Sequence, residues 1–256
     1  AVPDNPARAP VVLVPGFTGS KEDFSLLLAP LAAAGHHAVA LDLRGQHEST
    51  GPSDPGAYGL EALAAEVLAV AATLHPGPVH VVGHSFGGLV ARAAVLARPT
   101  AVRSLVLMSS GPAALTGPRV SGLDVLRPLL ASDGLPAVVD AIEAIAANDP
   151  LRPEVPAELR AFLRARLLAS SPVGLEVMAE ALTTEPDRVE ELRESGVPVL
   201  VLYGERDDAW LPSEQAAMAA RLGADQAVIP GAAHSPAVEN APATVRAILD
   251  FLAAVP

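Results

Sequence analysis

Apolar residues gather in six short runs, at residues 11–14, 38–41, 79–82, 104–108, 197–203 and 227–229. Within each run the apolar positions are continuous and do not alternate with polar ones. That is the pattern of strands buried on both faces, as in a parallel sheet covered by helices. Between the runs, apolar positions recur with helical spacing at 21–34, 60–74, 86–97, 213–222 and 242–254. Strand and helix patterns alternate, which predicts an α/β fold with a mostly parallel sheet of about six strands flanked by helices.

One connection breaks this rhythm. About 88 residues separate Met108 from Val197, where a crossover needs only a few tens. Short helical patterns at 123–132, 136–148, 156–170 and 173–183, separated by Pro, Gly, Ser and Asp, fill the gap. The expected organisation is a core of residues 1–111 and 189–256 with a helical cap, residues 112–188, inserted between its halves.

Composition narrows the possibilities. A chain of 256 residues can bury a core without staples, and it contains no cysteine, so disulfides, Cys-ligated zinc and thiol nucleophiles are excluded. Half of the residues are hydrophobic, which raises a membrane reading, yet the longest strictly apolar run is Val67 to Ala72 and a spanning helix needs ~18 residues. No membrane span is expected. A net charge of −12 opposes binding to phosphate backbones, so nucleic acid is not an expected partner. Ala1 to Pro10 lacks the basic end and apolar stretch of a signal peptide. A cytoplasmic location is favoured, secretion after loss of a signal peptide stays open, and oligomeric state is left unassigned.

The segment Val79-His80-Val81-Val82-Gly83-His84-Ser85-Phe86-Gly87-Gly88 runs from a predicted strand straight into a predicted helix through Gly-x-Ser-x-Gly. A turn this tight leaves no room for side chains at 83 and 87 and lets Ser85 protrude. A serine hydroxyl is a weak nucleophile until a base takes its proton, and the base must be held in one tautomer by a third group. Downstream, the run at 197–203 delivers Gly204-Glu205-Arg206-Asp207-Asp208, and the next strand delivers Pro230-Gly231-Ala232-Ala233-His234. Ser85, Asp207 and His234 are therefore the candidate catalytic residues, in the order Ser, Asp, His. Asp208 competes with Asp207.

On these three motifs the chain resembles the α/β-hydrolase fold family, over nearly its whole length outside the cap. Val12-Leu13-Val14-Pro15-Gly16-Phe17 and Asp42-Leu43-Arg44-Gly45-Gln46-His47-Glu48-Ser49 fit the family as well. Pro15-Gly16 stands where the family usually has His-Gly, and His47 where it often has Gly. The resemblance implies an oxyanion hole made by the backbone N–H groups of Phe17 and Phe86. It implies a cofactor-independent serine hydrolase, with a small carboxylic ester or related acyl compound (a thioester, a lactone, a carbon–carbon bond) as the substrate. His84 is expected to shape the elbow. The rival readings are a ligand receptor that retains the triad, and an acyltransferase or lyase using the same triad; fold alone does not choose among them.

The remaining chemistry-bearing residues carry plainer expectations. His36, His37, His47, His75 and His80 fall in loops or at strand edges without ligand spacing, so neither a metal nor a cofactor is expected. Arg160 and Arg164 read as a solvated helix face, and residues 51–59 as a surface loop without a phosphate-binding motif. Leu123, Leu126, Leu129 and Leu130 are candidates for an apolar pocket beneath the cap, or for ordinary packing.

Overall fold

Parallel strands need crossovers, and the chain supplies one between each pair of consecutive strands. The computed structural model describes residue 1, residues 8–147 and residues 155–255. Strands β1 (Arg8–Val14), β2 (His36–Ala40), β3 (Val79–His84), β4 (Val102–Met108), β5 (Val199–Gly204) and β6 (Asp225–Ile229) form one sheet in the order β2-β1-β3-β4-β5-β6. Every neighbouring pair is parallel. The crossover helices are α1 (Ser25–Ala33), α2 (Leu60–Leu74) and α3 (Phe86–Ala97). Those of the insertion are α4 (Val120–Ala147), α5 (Ala157–Leu168) and α6 (Pro172–Thr184), and α7 (Val189–Glu194) leads from it back to β5. The chain ends through α8 (Pro212–Leu222), α9 (Pro236–Glu239) and α10 (Ala241–Ala254).

The continuous apolar runs are explained by the two faces. Successive strand side chains point to opposite sides of a sheet, so Val12, Val14, Val81, Leu105, Leu107 and Val201 join one buried cluster with α2, α3 and α8. Their sequence neighbours Val11, Leu13, Val82, Val106, Leu200 and Leu202 join the other, with α1 and α10. Burying each such side chain contributes roughly 1.5–3 kcal/mol, which is why both faces of the strands are mainly apolar.

Strain collects at one edge of this sheet. Four non-glycine residues have positive φ, namely Thr18 (59°), His47 (47°), Ser85 (53°) and Ser109 (50°). Each lies in the segment that follows one of the strands β1 to β4, at its C-terminal end, where α/β sheets assemble their sites.

Helix α4 is broken at Gly134, whose φ of 78° and ψ of −178° are not helical. The break separates the two helical patterns expected at 123–132 and 136–148; Asn148, the end of the second, lies outside the described residues. Helix α6 is capped by the preceding Ser171, whose side chain accepts from the Gly174 N–H at 3.1 Å. Met178, Ala179 and Leu182 on α6 enter the same cluster as Tyr58 and Leu63 of the core. Leu135, Val138, Val139, Leu167 and Leu175 make a smaller cluster against which Phe17, Leu126, Leu129 and Leu130 pack. The two ends of the insertion meet: the Ala114 N–H donates to Glu185 O and the Leu115 N–H to Leu182 O, both at 2.8 Å. Arg92, 2% exposed, binds both ends from α3, donating to Pro112 O at 2.5 Å and to Glu185 Oε1 at 2.9 Å.

Three expectations are corrected. His80 is not in a loop or at a strand edge: it is buried within central strand β3, bonded through Nδ1 to Ser104 Oγ at 2.7 Å. Arg164 does not face only solvent but pairs with Asp140 and Glu143 of α4, tying α5 to it. The loop at 51–59 is exposed along 51–56 but ends in a 3-10 turn that buries Tyr58 completely, whose hydroxyl donates to Pro52 O. Among the described residues, no helix is long and apolar enough to cross a membrane.

Candidate active site

Strand β3 runs into α3 with no intervening loop, and the turn residue is Ser85, at φ 53° and ψ −120°. Its N–H is tied to Met108 O of β4 at 2.9 Å, which fixes the strained backbone to the sheet. The neighbouring glycines are steric requirements. A Cβ on Gly83 would lie 2.4 Å from Gly87 O, and one on Gly87 would lie 2.3 Å from Val14 O.

His234 follows β6 and precedes α9. Its Nε2 lies 2.9 Å from Ser85 Oγ, and its Nδ1 lies 2.8 Å from Asp207 Oδ1. With Asp207 as acceptor, the proton sits on Nδ1 and Nε2 is free to accept from the serine hydroxyl. All three side chains are buried: Ser85 is 7%, Asp207 3% and His234 5% exposed. The His234 backbone is clamped from both sides, because Glu239 Oε2 accepts from the Ala233 N–H at 2.6 Å and the Ser235 N–H at 3.1 Å. His84 Nε2–H donates to His234 O at 2.7 Å, so the elbow and the histidine loop are directly bonded. Burial, then the neighbouring His234, pull the His84 pKa down to about 4; it stays neutral and its role is that of a donor.

The two adjacent acids are separated by their surroundings. Burial alone would push the Asp207 carboxyl up, but its bond to His234, the charge there, the Ala209 amide and Gln215 together hold it below the usual carboxylate range. The Ala209 N–H reaches Oδ1 at 3.0 Å, and Gln215 Nε2 reaches Oδ2 at 2.9 Å. Asp208 is half exposed and pairs with Arg119 at 2.8 Å. The Asp207, Asp208 and His234 ligand atoms lie within 4.8 Å of one another, a spacing a cation could bridge. Asp207 and His234 are already bonded to each other and to Ala209, Gln215 and Ser85, and Asp208 Oδ1 to Arg119, so a cation bridging the three would compete with these bonds.

Phe86 is the first residue of α3, where an N–H has no acceptor within the helix. Phe17 follows Gly16, and a Cβ on Gly16 would be 3.1 Å from Ser85 Cβ and 3.2 Å from His84 Nδ1, so this loop lies against the elbow. Gly16 O accepts from the Gly19 N–H at 3.0 Å and from buried Gln46 Nε2 at 2.9 Å. The structure thus brings Ser85, Asp207 and His234 into one bonded chain and sets the Phe17 and Phe86 segments beside it. Gln215, Glu239 and the contact made by Gln46 were not anticipated. Gln46 stands inside the motif Asp42 to Ser49; the other two carry no sequence signal of their own.

A family model described as the alpha/beta hydrolase family matches residues 11–248. Pimeloyl-[acyl-carrier protein] methyl ester esterase from Methylococcus capsulatus is 31% identical over 223 residues, spanning 83% of each chain. Among solved structures, a carboxylesterase from the thaumarchaeon Nitrososphaera gargenis superposes with a TM-score of 0.83 at 20% identity, over 98% of this chain and 92% of the other. A thermophilic esterase from Thermogutta terrifontis, with malate bound, gives 0.79 at 25% identity over the same shares.

Proposed function

We propose, from the premise that the chain belongs to the alpha/beta hydrolase family, that it is a serine esterase cleaving a small carboxylic ester or related acyl substrate through an acyl-enzyme on Ser85. The observation that carries this reading is the unbroken relay from Asp207 through His234 to Ser85, at 2.8 and 2.9 Å. As Ser85 Oγ attacks the acyl carbonyl, His234 Nε2 takes its proton, and the Asp207 carboxylate stabilises the imidazolium. The carbonyl oxygen becomes an oxyanion, to which the N–H groups of Phe17 and Phe86 donate. His234 then gives the proton to the leaving alkoxide. In the second half, His234 deprotonates water, which attacks the acyl carbon, and the proton returns to Ser85 as the acid leaves.

Residues 112–188 act in this reading as the cap. Phe17, Leu126, Leu129 and Leu130 are partly buried and pack against one apolar cluster of the insertion, which supports an apolar lining on the cap side, suited to an uncharged acyl chain. The relative named for a methyl ester and the two esterase structures support an ester as the scissile bond. A fluorophosphonate should label the wild type once, at Ser85, and leave Ser85→Ala unlabelled; equal labelling of both refutes the reading. A panel of esters of increasing chain length, run beside thioesters and lactones, identifies the substrate class.

A further inference from the structure

We propose that Gln46 is a positioning residue for this reaction: its amide sets the direction of the Phe17 N–H that receives the oxyanion, an inference that rests on the serine-esterase reading above. The Gly16–Phe17 peptide carries the Gly16 carbonyl at one end and the Phe17 N–H at the other. A trans peptide is planar, so the two point in opposite directions, and whatever fixes the carbonyl aims the N–H.

The chain has reason to need such a fixing. A side chain at Gly16 would be crowded by Ser85 and His84, at 3.1 and 3.2 Å from its Cβ, and the glycine that stands there leaves the following peptide free to rotate. The turn from Gly16 to Gly19 also holds Thr18, a β-branched residue, at φ 59°, a conformation that persists only where the surroundings enforce it. Within the turn, Gly16 O has one bond, from the Gly19 N–H. The second comes from outside, from Gln46 Nε2 at 2.9 Å.

Gln46 is built as a rigid donor. It is fully buried, its own N–H is bonded to Leu43 O, and its carbonyl accepts from Ser49 N. Its other side-chain atom, Oε1, is buried without a partner among the described residues. An unpaired buried acceptor is destabilising, and an apolar residue of similar size would remove it. Stability alone therefore favours leucine or methionine here, and what the glutamine adds is the single N–H given to Gly16 O. It touches no reacting atom and acts through the Phe17 peptide.

The test uses the full-length protein with one activated ester and a trifluoromethyl ketone, whose adduct with Ser85 carries an oxyanion. Gln46→Leu is expected to lower kcat about 10–100-fold, since one donor is misaimed and not removed. KM should stay within about threefold, and affinity for the ketone should fall by the same factor as kcat/KM. Gln46→Glu supplies a second readout. Only its protonated carboxyl can donate to Gly16 O, so its kcat should fall as pH rises through the new carboxyl, a limb the wild type lacks. A folded Gln46→Leu with kcat and ketone affinity within about threefold of wild type overturns the proposal. If that variant does not fold, absence of the extra limb in Gln46→Glu overturns it. Should the wild type itself show neither hydrolysis nor Ser85 labelling, the esterase reading falls and the positioning role with it. Ser85-dependent wild-type activity beside unaffected Gln46 variants removes the positioning role alone.

Discussion

Replacing Asp207 by Asn keeps the side chain's shape and removes its charge, and the surrounding donors decide what the amide does. In the native site Oδ1 accepts from both His234 Nδ1 and the Ala209 N–H, while Oδ2 accepts from Gln215 Nε2. If the Asn oxygen faces His234, its NH2 group meets the Gln215 NH2 donor. Gln215 cannot turn over to relieve this, because the same Nε2 donates to Trp210 O at 2.8 Å. If the Asn amide turns instead, its NH2 faces Nδ1 and forces the histidine into the tautomer with its proton on Nε2, which cannot accept from Ser85. Either way the imidazolium loses its carboxylate. At 2.8 Å and an effective dielectric of about 20, that attraction is about 6 kcal/mol. At about 1.4 kcal/mol per decade, it corresponds to about 10⁴ in turnover. KM should change little. Asp208→Asn removes a half-exposed charge that is paired with Arg119 and lies within 4.8 Å of the Asp207 and His234 ligand atoms; exposed charges of this kind contribute about 1 kcal/mol or less, so turnover should remain within about tenfold. The assay is kcat and KM of both variants on one activated ester, with folding checked by circular dichroism. Asp207→Asn within tenfold of wild type, or Asp208→Asn the worse of the two, refutes the reasoning.

Three further outcomes are expected. Gly87→Ala places a methyl 2.3 Å from Val14 O and 2.4 Å from Pro15 O, backbone that cannot yield without moving β1, and should lose more than about 3 kcal/mol of stability. Gly122→Ala, whose methyl meets nothing within 4 Å on α4, should gain about 0.5–1 kcal/mol; urea unfolding of both compares them. His80 is held neutral, its pKa drawn down to about 3 by burial, then by His36 and Arg103. The unfolded chain binds that proton near pH 6.5, so this stabilisation is complete above that pH and is lost down to about pH 3, by up to ~1.4 kcal/mol per pH unit. His80→Gln should show a shallower fall in the urea midpoint between pH 7 and 4, and an unchanged slope would contradict the account. Leu126→Ala and Leu130→Ala should shift the ratio of kcat/KM between long-chain and short-chain esters more than they shift Tm. Equal losses across the ester series would assign these leucines to packing.

The strands β1, β3, β4 and β5 were legible because they are buried on both faces and so read as nearly continuous apolar runs, whereas the edge strands β2 and β6 showed only their apolar ends, because their polar residues His36, His37, Asp225 and Gln226 interrupt the pattern. Helices α2 and α3 begin and end where the apolar spacing does, and α8 starts one residue earlier than expected, at Pro212. Helix α7 was missed: Val189-Glu190-Glu191-Leu192-Arg193-Glu194 buries only Val189 and Leu192, too short a pattern to show a period. Asp207 and Asp208 differ by nothing that a one-dimensional reading can weigh strongly, because their distinction is burial and partners. Gln46, Gln215 and Glu239 were invisible for a related reason. The Gln46 bond runs to a backbone group 30 residues away that the fold brings near, and Gln215 and Glu239 bond groups within eight residues, through turns whose geometry the sequence pattern does not display.

The meeting of the insertion's two ends has a consequence for how such a chain can change over generations. Because Ala114 and Glu185 are hydrogen-bonded neighbours, the intervening segment leaves the sheet and returns to it at one place, as a closed loop does. The entropy of closing a loop grows only with the logarithm of its length, by about 0.6 kcal/mol per doubling. Lengthening, trimming or exchanging the part beyond the α6 residues that pack into the core therefore perturbs the sheet very little, as long as Arg92 still finds Pro112 and Glu185. Selection can rewrite the segment between Ala114 and Glu185 while the strands on either side of it keep their register.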